Sequence, residues 1–195
     1  NTYAYSGGGI DTVQILGTSG NDDFYGNQTY SYLRGNSNAI LNYAKNFSTV
    51  SIDVSSSGGT DRSYMYDSPG DDILIAGEAE TTLDYDSSIS PGVDGTAIGF
   101  SETSVYATAG GNDTATLTGS SGNDRFTARD IYGRMRGDDG AYIRYAEGFD
   151  VVTGDASGTT GTDLAILFDG PGDDHLEAGE TTTSMDLDAT LGIDD

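Results

Sequence analysis

Cysteine and tryptophan are missing from this 195-residue chain, proline occurs 3 times, and lysine and histidine once each, as Lys45 and His175. Without cysteine there is no disulfide and no thiolate metal site. Helix-forming runs of Ala, Leu, Glu and Lys are missing as well, and no apolar run approaches the length of a membrane span. Positive charge is short too: 8 basic residues stand against 32 acidic ones, for a net charge of −24. Nucleic acid and anionic membrane surfaces call for a basic face, so neither is an expected partner, and membrane insertion is not expected. Cations are. An acidic, Gly/Asp/Thr-rich, lysine-poor chain reads as secreted or exposed at a cell surface.

What is present is repetition. Residues 8–24, GGIDTVQILGTSGNDDF, return as 58–74, 110–126 and 160–176, at a spacing of roughly fifty residues. The first and third copies resemble each other most, as do the second and fourth. Tyr43, Ala44 and Phe47 match Tyr145, Ala146 and Phe149, and SPGDDILIAGEAE matches GPGDDHLEAGETT. The underlying period is therefore a pair of units, about one hundred residues. We divide the chain into a tail of a preceding repeat (1–7), unit A1 (8–57), unit B1 (58–109), unit A2 (110–159) and a truncated unit B2 (160–195). Neither end has the look of a polar capping repeat, which predicts a longer array or end-to-end association of copies into fibres. High negative charge on the flanks is expected to keep such fibres from clumping side by side.

Each unit carries two Gly-x-Asp turns eleven residues apart, the first at Asp11, Asp61, Asp113 and Asp163, the second at Asp22, Asp72, Asp124 and Asp174. Alternation follows each turn. Positions two and four beyond the first aspartate read Val13/Ile15, Ser63/Met65, Ala115/Leu117 and Ala165/Leu167; beyond the second they read Phe24/Gly26, Leu74/Ala76, Phe126/Ala128 and Leu176/Ala178. A period of two places these residues on one face of a strand. A large residue with a small one at fixed offset suits stacked layers. The expected fold is all-β, a tandem-repeat β-solenoid or β-helix with Leu117 and Leu167 buried. The alternative is an array of antiparallel units, each sandwich- or blade-like.

The turns Gly8-Gly9-Ile10-Asp11, Gly58-Gly59-Thr60-Asp61, Gly110-Gly111-Asn112-Asp113, Gly20-Asn21-Asp22 and Gly122-Asn123-Asp124 resemble the calcium-binding repeats of haemolysin-type (RTX) secreted proteins. They keep the glycine, the aspartate two residues on and the apolar residue two beyond that, without the nine-residue spacing or the second glycine. The longer pattern, SGNDRFTA through YAEGFD, is similar to repeats of very large bacterial surface proteins. The resemblance implies Ca²⁺ shared between turn carbonyls and aspartates of successive turns. The candidate metal ligands are the eight turn aspartates with Asp67 and Asp71 of DSPGDD and Asp169 and Asp173 of DGPGDD, where a Pro-Gly turn gathers carboxylates and carbonyls. The competing expectation is that these aspartates accept hydrogen bonds from turn amides.

Other repeated residues point to structure. Tyr30, Tyr43, Tyr132 and Tyr145 recur and suit an aromatic brace, and Arg34/Arg136 and Asp53/Asp155 read as charges on a solvated face. His175 is replaced by Asp23, Ile73 and Arg125 in the other copies, so no catalytic constellation repeats or converges on it. The expected role is non-enzymatic: a calcium-stabilised structural segment of an extracellular filament or large surface protein. An adhesin module whose strand faces contact glycans is the alternative, with a polysaccharide-active β-helix behind it.

Overall fold

The computed structural model describes residues 1–35, 37–87, 92–156, 160–168, 175–178 and 182–186, the last two segments as backbone only. After each Gly-x-Asp turn, β-branched and aromatic residues alternate with polar ones and the chain extends. The strands are β1 (Thr2–Tyr5); β2 (Thr12–Leu16), β3 (Asp22–Gly26), β4 (Tyr30–Gly35), β5 (Ile40–Lys45) and β6 (Thr49–Asp53) of unit A1; and β7 (Arg62–Tyr66), β8 (Ile73–Ala76), β9 (Glu80–Asp84), β10 (Gly95–Ile98) and β11 (Glu102–Tyr106) of unit B1. Unit A2 holds β12 (Thr114–Thr118), β13 (Asp124–Arg129), β14 (Tyr132–Gly137), β15 (Ile143–Glu147) and β16 (Val151–Asp155). Unit B2 holds β17 (Leu164–Leu167), β18 (His175–Ala178) and β19 (Thr182–Asp186). No helix occurs among the described residues.

The fold is a β-solenoid of about four stacked turns, flattened into two facing sheets. Sheet A runs β1-β5-β4-β3-β7-β11-β15-β14-β13-β17, and sheet B runs β18-β19-β16-β12-β8-β9-β10-β6-β2. Units join through parallel pairs such as β3–β7, β11–β15 and β8–β12, the pairing of a coil. Within a unit the chain folds back as an antiparallel three-stranded meander, β3–β5 or β8–β10. The meanders were not foreseen in the coil reading, and they set the long period. A1 places its meander in sheet A, B1 in sheet B and A2 in sheet A again. Environments therefore repeat only every second unit, and the sequence does likewise.

Between the sheets lies one apolar core containing Phe24, Leu33, Ile52, Met65, Leu74, Leu83, Leu117 and Met135. In units A1, B1 and A2 the residues two and four beyond the aspartates face it. Leu117 is fully buried, and Ser63 takes an apolar place in the column. On β17, the outermost strand of sheet A in the order above, Leu167 is partly buried against the core and Ala165 is exposed. The large–small pairing has a direct cause. A Cβ on Gly26 would lie 2.6 Å from Cζ of Phe24, whose ring occupies that space. In unit A2 the matching residue is Ala128, and the Phe126 ring lies instead over Gly154, where a Cβ would meet it at 2.5 Å.

Eleven of the 13 tyrosines point outward from sheet A, and only Tyr85 and Tyr142 are buried. Rings stack along the sheet: Tyr32 on Tyr25 at 4.9 Å, Tyr25 on Tyr64 at 4.9 Å, Tyr66 on Tyr106 at 5.4 Å. Tyr30 with Tyr43 and Tyr132 with Tyr145 belong to this ladder, with centroids 6.1 and 5.2 Å apart. Contacts of this kind link neighbouring strands across the outer surface.

Candidate metal centre

The aspartates of the second set close their own turns. Asp22 accepts hydrogen bonds from the Thr18 amide (2.8 Å) and hydroxyl (2.9 Å). Asp72 receives the same pair from Ser68 at 3.0 and 2.9 Å, and Asp124 from Ser120 at 2.8 and 3.1 Å. The spacing that does this, Ser/Thr-x-x-x-Asp, is visible in every one of these copies.

The aspartates of the first set reach backward to the preceding unit. The Asp22 amide donates to Asp61 (2.8 Å), that of Asp72 to Asp113 (2.8 Å) and that of Asp124 to Asp163 (2.9 Å). Beside each bond, Asn21, Asp71 or Asn123 accepts from the amide of Thr60, Asn112 or Thr162 at 2.8–2.9 Å. The glycine of Gly-x-Asp is required by the same contact. Gly111 has φ of +134°, and a Cβ there would sit 2.0 Å from the Gly70 carbonyl oxygen. Two Gly-x-Asp turns thus dock backbone to backbone at each of these three interfaces.

At the B1–A2 interface the docking gathers three carboxylates. Asp67, Asp72 and Asp113 are all buried, and each offers an oxygen within 4.8 Å of the others. Asp67 accepts from the Ala109 amide at 2.8 Å, and Asp72 also accepts from Asp86 at 3.0 Å. No basic side chain is hydrogen-bonded to the three among the described residues. Units A1 and A2 carry Gly17 and Gly119 where B1 carries Asp67, so among the described residues the cluster belongs to unit B1 and its junction with A2.

Burial pushes the Asp113 carboxyl up to about 6, and the neighbouring charges of Asp72, Asp67 and Asp150 push the same way. Burial also raises Asp72, against the hydrogen bonds from Ser68 and Asp86 that stabilise its charged form. A folded-state value above the ordinary carboxylate value of about 4 means that folding takes up a proton between those two pH values. The destabilisation is therefore full above pH about 6 and gone below pH about 4. Asp113→Asn keeps an oxygen for the Asp72 amide and removes one charge. Without divalent cations it is expected to stabilise the fold at pH 7 on the order of 1 kcal/mol, allowing for solvent screening. The difference from wild type should vanish towards pH 4, as read by urea unfolding across that range. An unchanged difference at both pH values would show that the cluster's charge is not what matters.

The proposed ligands now divide. Asp67, Asp72 and Asp113 come together; Asp71 of the same motif turns away to the Asn112 amide. Asp22, Asp61, Asp124 and Asp163 serve the turn and inter-unit bonds, and burial raises the Asp61 carboxyl. Asp11 accepts from the Ser6 hydroxyl at 2.5 Å. Asp169, Asp173 and Asp174 lie outside the described residues.

Arg144 went unremarked in the sequence. It is fully buried, and its guanidinium donates to the carbonyls of Gly77 (2.7 Å), Glu78 (2.6 Å), Phe100 (2.8 Å) and Ile143 (2.8 Å). Burial draws its pKa down to about 10. The available signal was an arginine where the first copy has Asn42, directly before the matching Tyr-Ala pair. Comparison with protein-family models, with curated proteins and with solved structures finds no match.

Proposed function

We propose that this chain is a structural repeat segment of an extracellular filament or large cell-surface protein, stabilised by calcium. The observation that carries the reading is the destination of the repeated polar residues. At the A1–B1, B1–A2 and A2–B2 interfaces the same amide-to-carboxylate bonds join one unit to the next. Residues that recur in order to stack units are those of a rod, whose stability is a sum of unit and interface contributions. Five strands per sheet enter each two-unit period, which sets an axial repeat of about 24 Å. Electron microscopy of the native material should show unbranched rods, single or layered, with that axial spacing. Compact particles without axial periodicity would rule the filament out.

Calcium fits the cluster by its chemistry. Asp67, Asp72 and Asp113 offer oxygen alone, and buried negative charge without a basic partner suits a hard cation. Neighbouring carbonyls and water would complete the six to eight oxygens such an ion takes. Calcium at roughly a hundred times its Kd is expected to raise Tm by about 5 °C or more. Magnesium or sodium chloride at matched ionic strength should do less. Equal shifts would reduce the effect to screening and remove the specific site.

A further inference from the structure

The structure separates charge in a way that composition hides. Seven of the 8 basic residues, all but the buried Arg144, lie on the outer face of sheet A beside the tyrosines. Only Asp23, Glu102 and Glu147 oppose them on those strands. The outer face of sheet B carries no basic residue among the described ones; its charges are Asp53, Glu80, Asp84 and Asp155, among threonines and the exposed Ile73 and Ile75. So a chain of net charge −24 has one broad face whose strand residues are net positive.

The positive end of that face is unbalanced. Arg125 and Arg136 are direct cross-strand neighbours, and Arg134 lies on the same strand as Arg136, opposite Thr127. Their Nε atoms are buried without a hydrogen-bond partner. Like charges placed opposite each other cost stability unless something anionic lies between them. In unit A1 the matching positions are Asp23, Arg34 and Tyr32, so the outer face differs between units whose inner faces keep Phe24/Phe126 and Ala44/Ala146.

We propose that the outer face of sheet A docks on the outer face of sheet B of a second copy of this chain. Both surfaces are built of strands at the same spacing, ten in one and nine in the other. Sheet A offers an area of about 750 Å², close to the roughly 800 Å² per partner of a stable interface. Tyrosine and arginine are the residues that carry binding energy at such interfaces. Net repulsion between copies is screened beyond about 8 Å at physiological salt, which leaves contact-range pairs to decide. The two faces differ and lie on opposite sides of the flattened solenoid, so the contact is head-to-tail and stacks rods side by side in open layers. Neither face includes the carboxylate cluster, and the contact is independent of the calcium reading.

Two variants of the full chain test this. Arg125→Glu/Arg134→Glu/Arg136→Glu inverts sheet A; Glu80→Lys/Thr116→Lys/Thr153→Lys cancels the net negative charge of sheet B without making it positive. Sedimentation velocity of wild type at about 0.15 M salt, where screening is short-ranged, should show concentration-dependent species growing beyond dimers. Each variant alone should associate at least tenfold more weakly. An equimolar mixture should form a one-to-one dimer that grows no further, because one intact A face meets one intact B face. That rescue also shows that both variants are folded. Monomeric wild type, association unaffected by either variant, or a sheet-B variant that pairs as tightly as wild type would each overturn the proposal. So would retention of monomeric wild type on immobilised polygalacturonate, which would assign the arginines to an acidic glycan.

Discussion

Arg144→Ala is expected to lower the unfolding free energy by roughly 3–5 kcal/mol, because several hydrogen bonds from a charged donor are lost at about 1.5–3 kcal/mol each. The side chain sits in β15 of unit A2, while Gly77, Glu78 and Phe100 belong to loops of unit B1. Truncation strips these carbonyls of their donor, with Phe100 buried and Gly77 and Glu78 nearer the surface, and each group left unsatisfied costs about 1–3 kcal/mol. Arg144→Lys should recover little, because an ammonium cannot reproduce the planar fork that meets several carbonyls at once. Denaturant unfolding measures both. A loss below about 1 kcal/mol for the alanine variant would mean that water satisfies the carbonyls and the guanidinium is not a staple.

Leu117→Asp should cost more than about 4 kcal/mol, because it places an unpaired carboxylate in the core. Leu117 is fully buried in β12, between β8 of unit B1 and β16 of its own unit. In a solenoid each unit leans on its neighbours, so the damage should spread. Hydrogen exchange should show lost protection in β8 and β16 as well as in β12. Protection lost in β12 alone would contradict the coupling that a continuous core imposes.

The position of the metal candidate shows how far local pattern reaches. DSPGDD suggested Asp67, Asp71 and Asp72 as a set, since nearness along the chain is all a single motif reveals. Folding keeps Asp67 and Asp72 together, sends Asp71 to the Asn112 amide and brings in Asp113 from the next unit. Successive strand residues face opposite sides, so adjacent aspartates seldom share a site. The third carboxylate is set by register between units, which no local spacing encodes.

Burial at Leu117, the Gly-x-Asp turns, the roughly hundred-residue period and the all-β solenoid were legible in the sequence alone. Each rests on short-range chemistry: glycine where backbones meet, aspartate where turn amides need an acceptor, alternation where one strand face is buried. Only the tertiary structure decided that meanders alternate between two sheets, that Arg144 closes an interface with carbonyls of another unit, and that the basic residues share one face. Those depend on which strands become neighbours. A period of two tells which residues point the same way along one strand, but the partner strand, and hence the charge and shape of a whole face, follows from long-range pairing that the core selects.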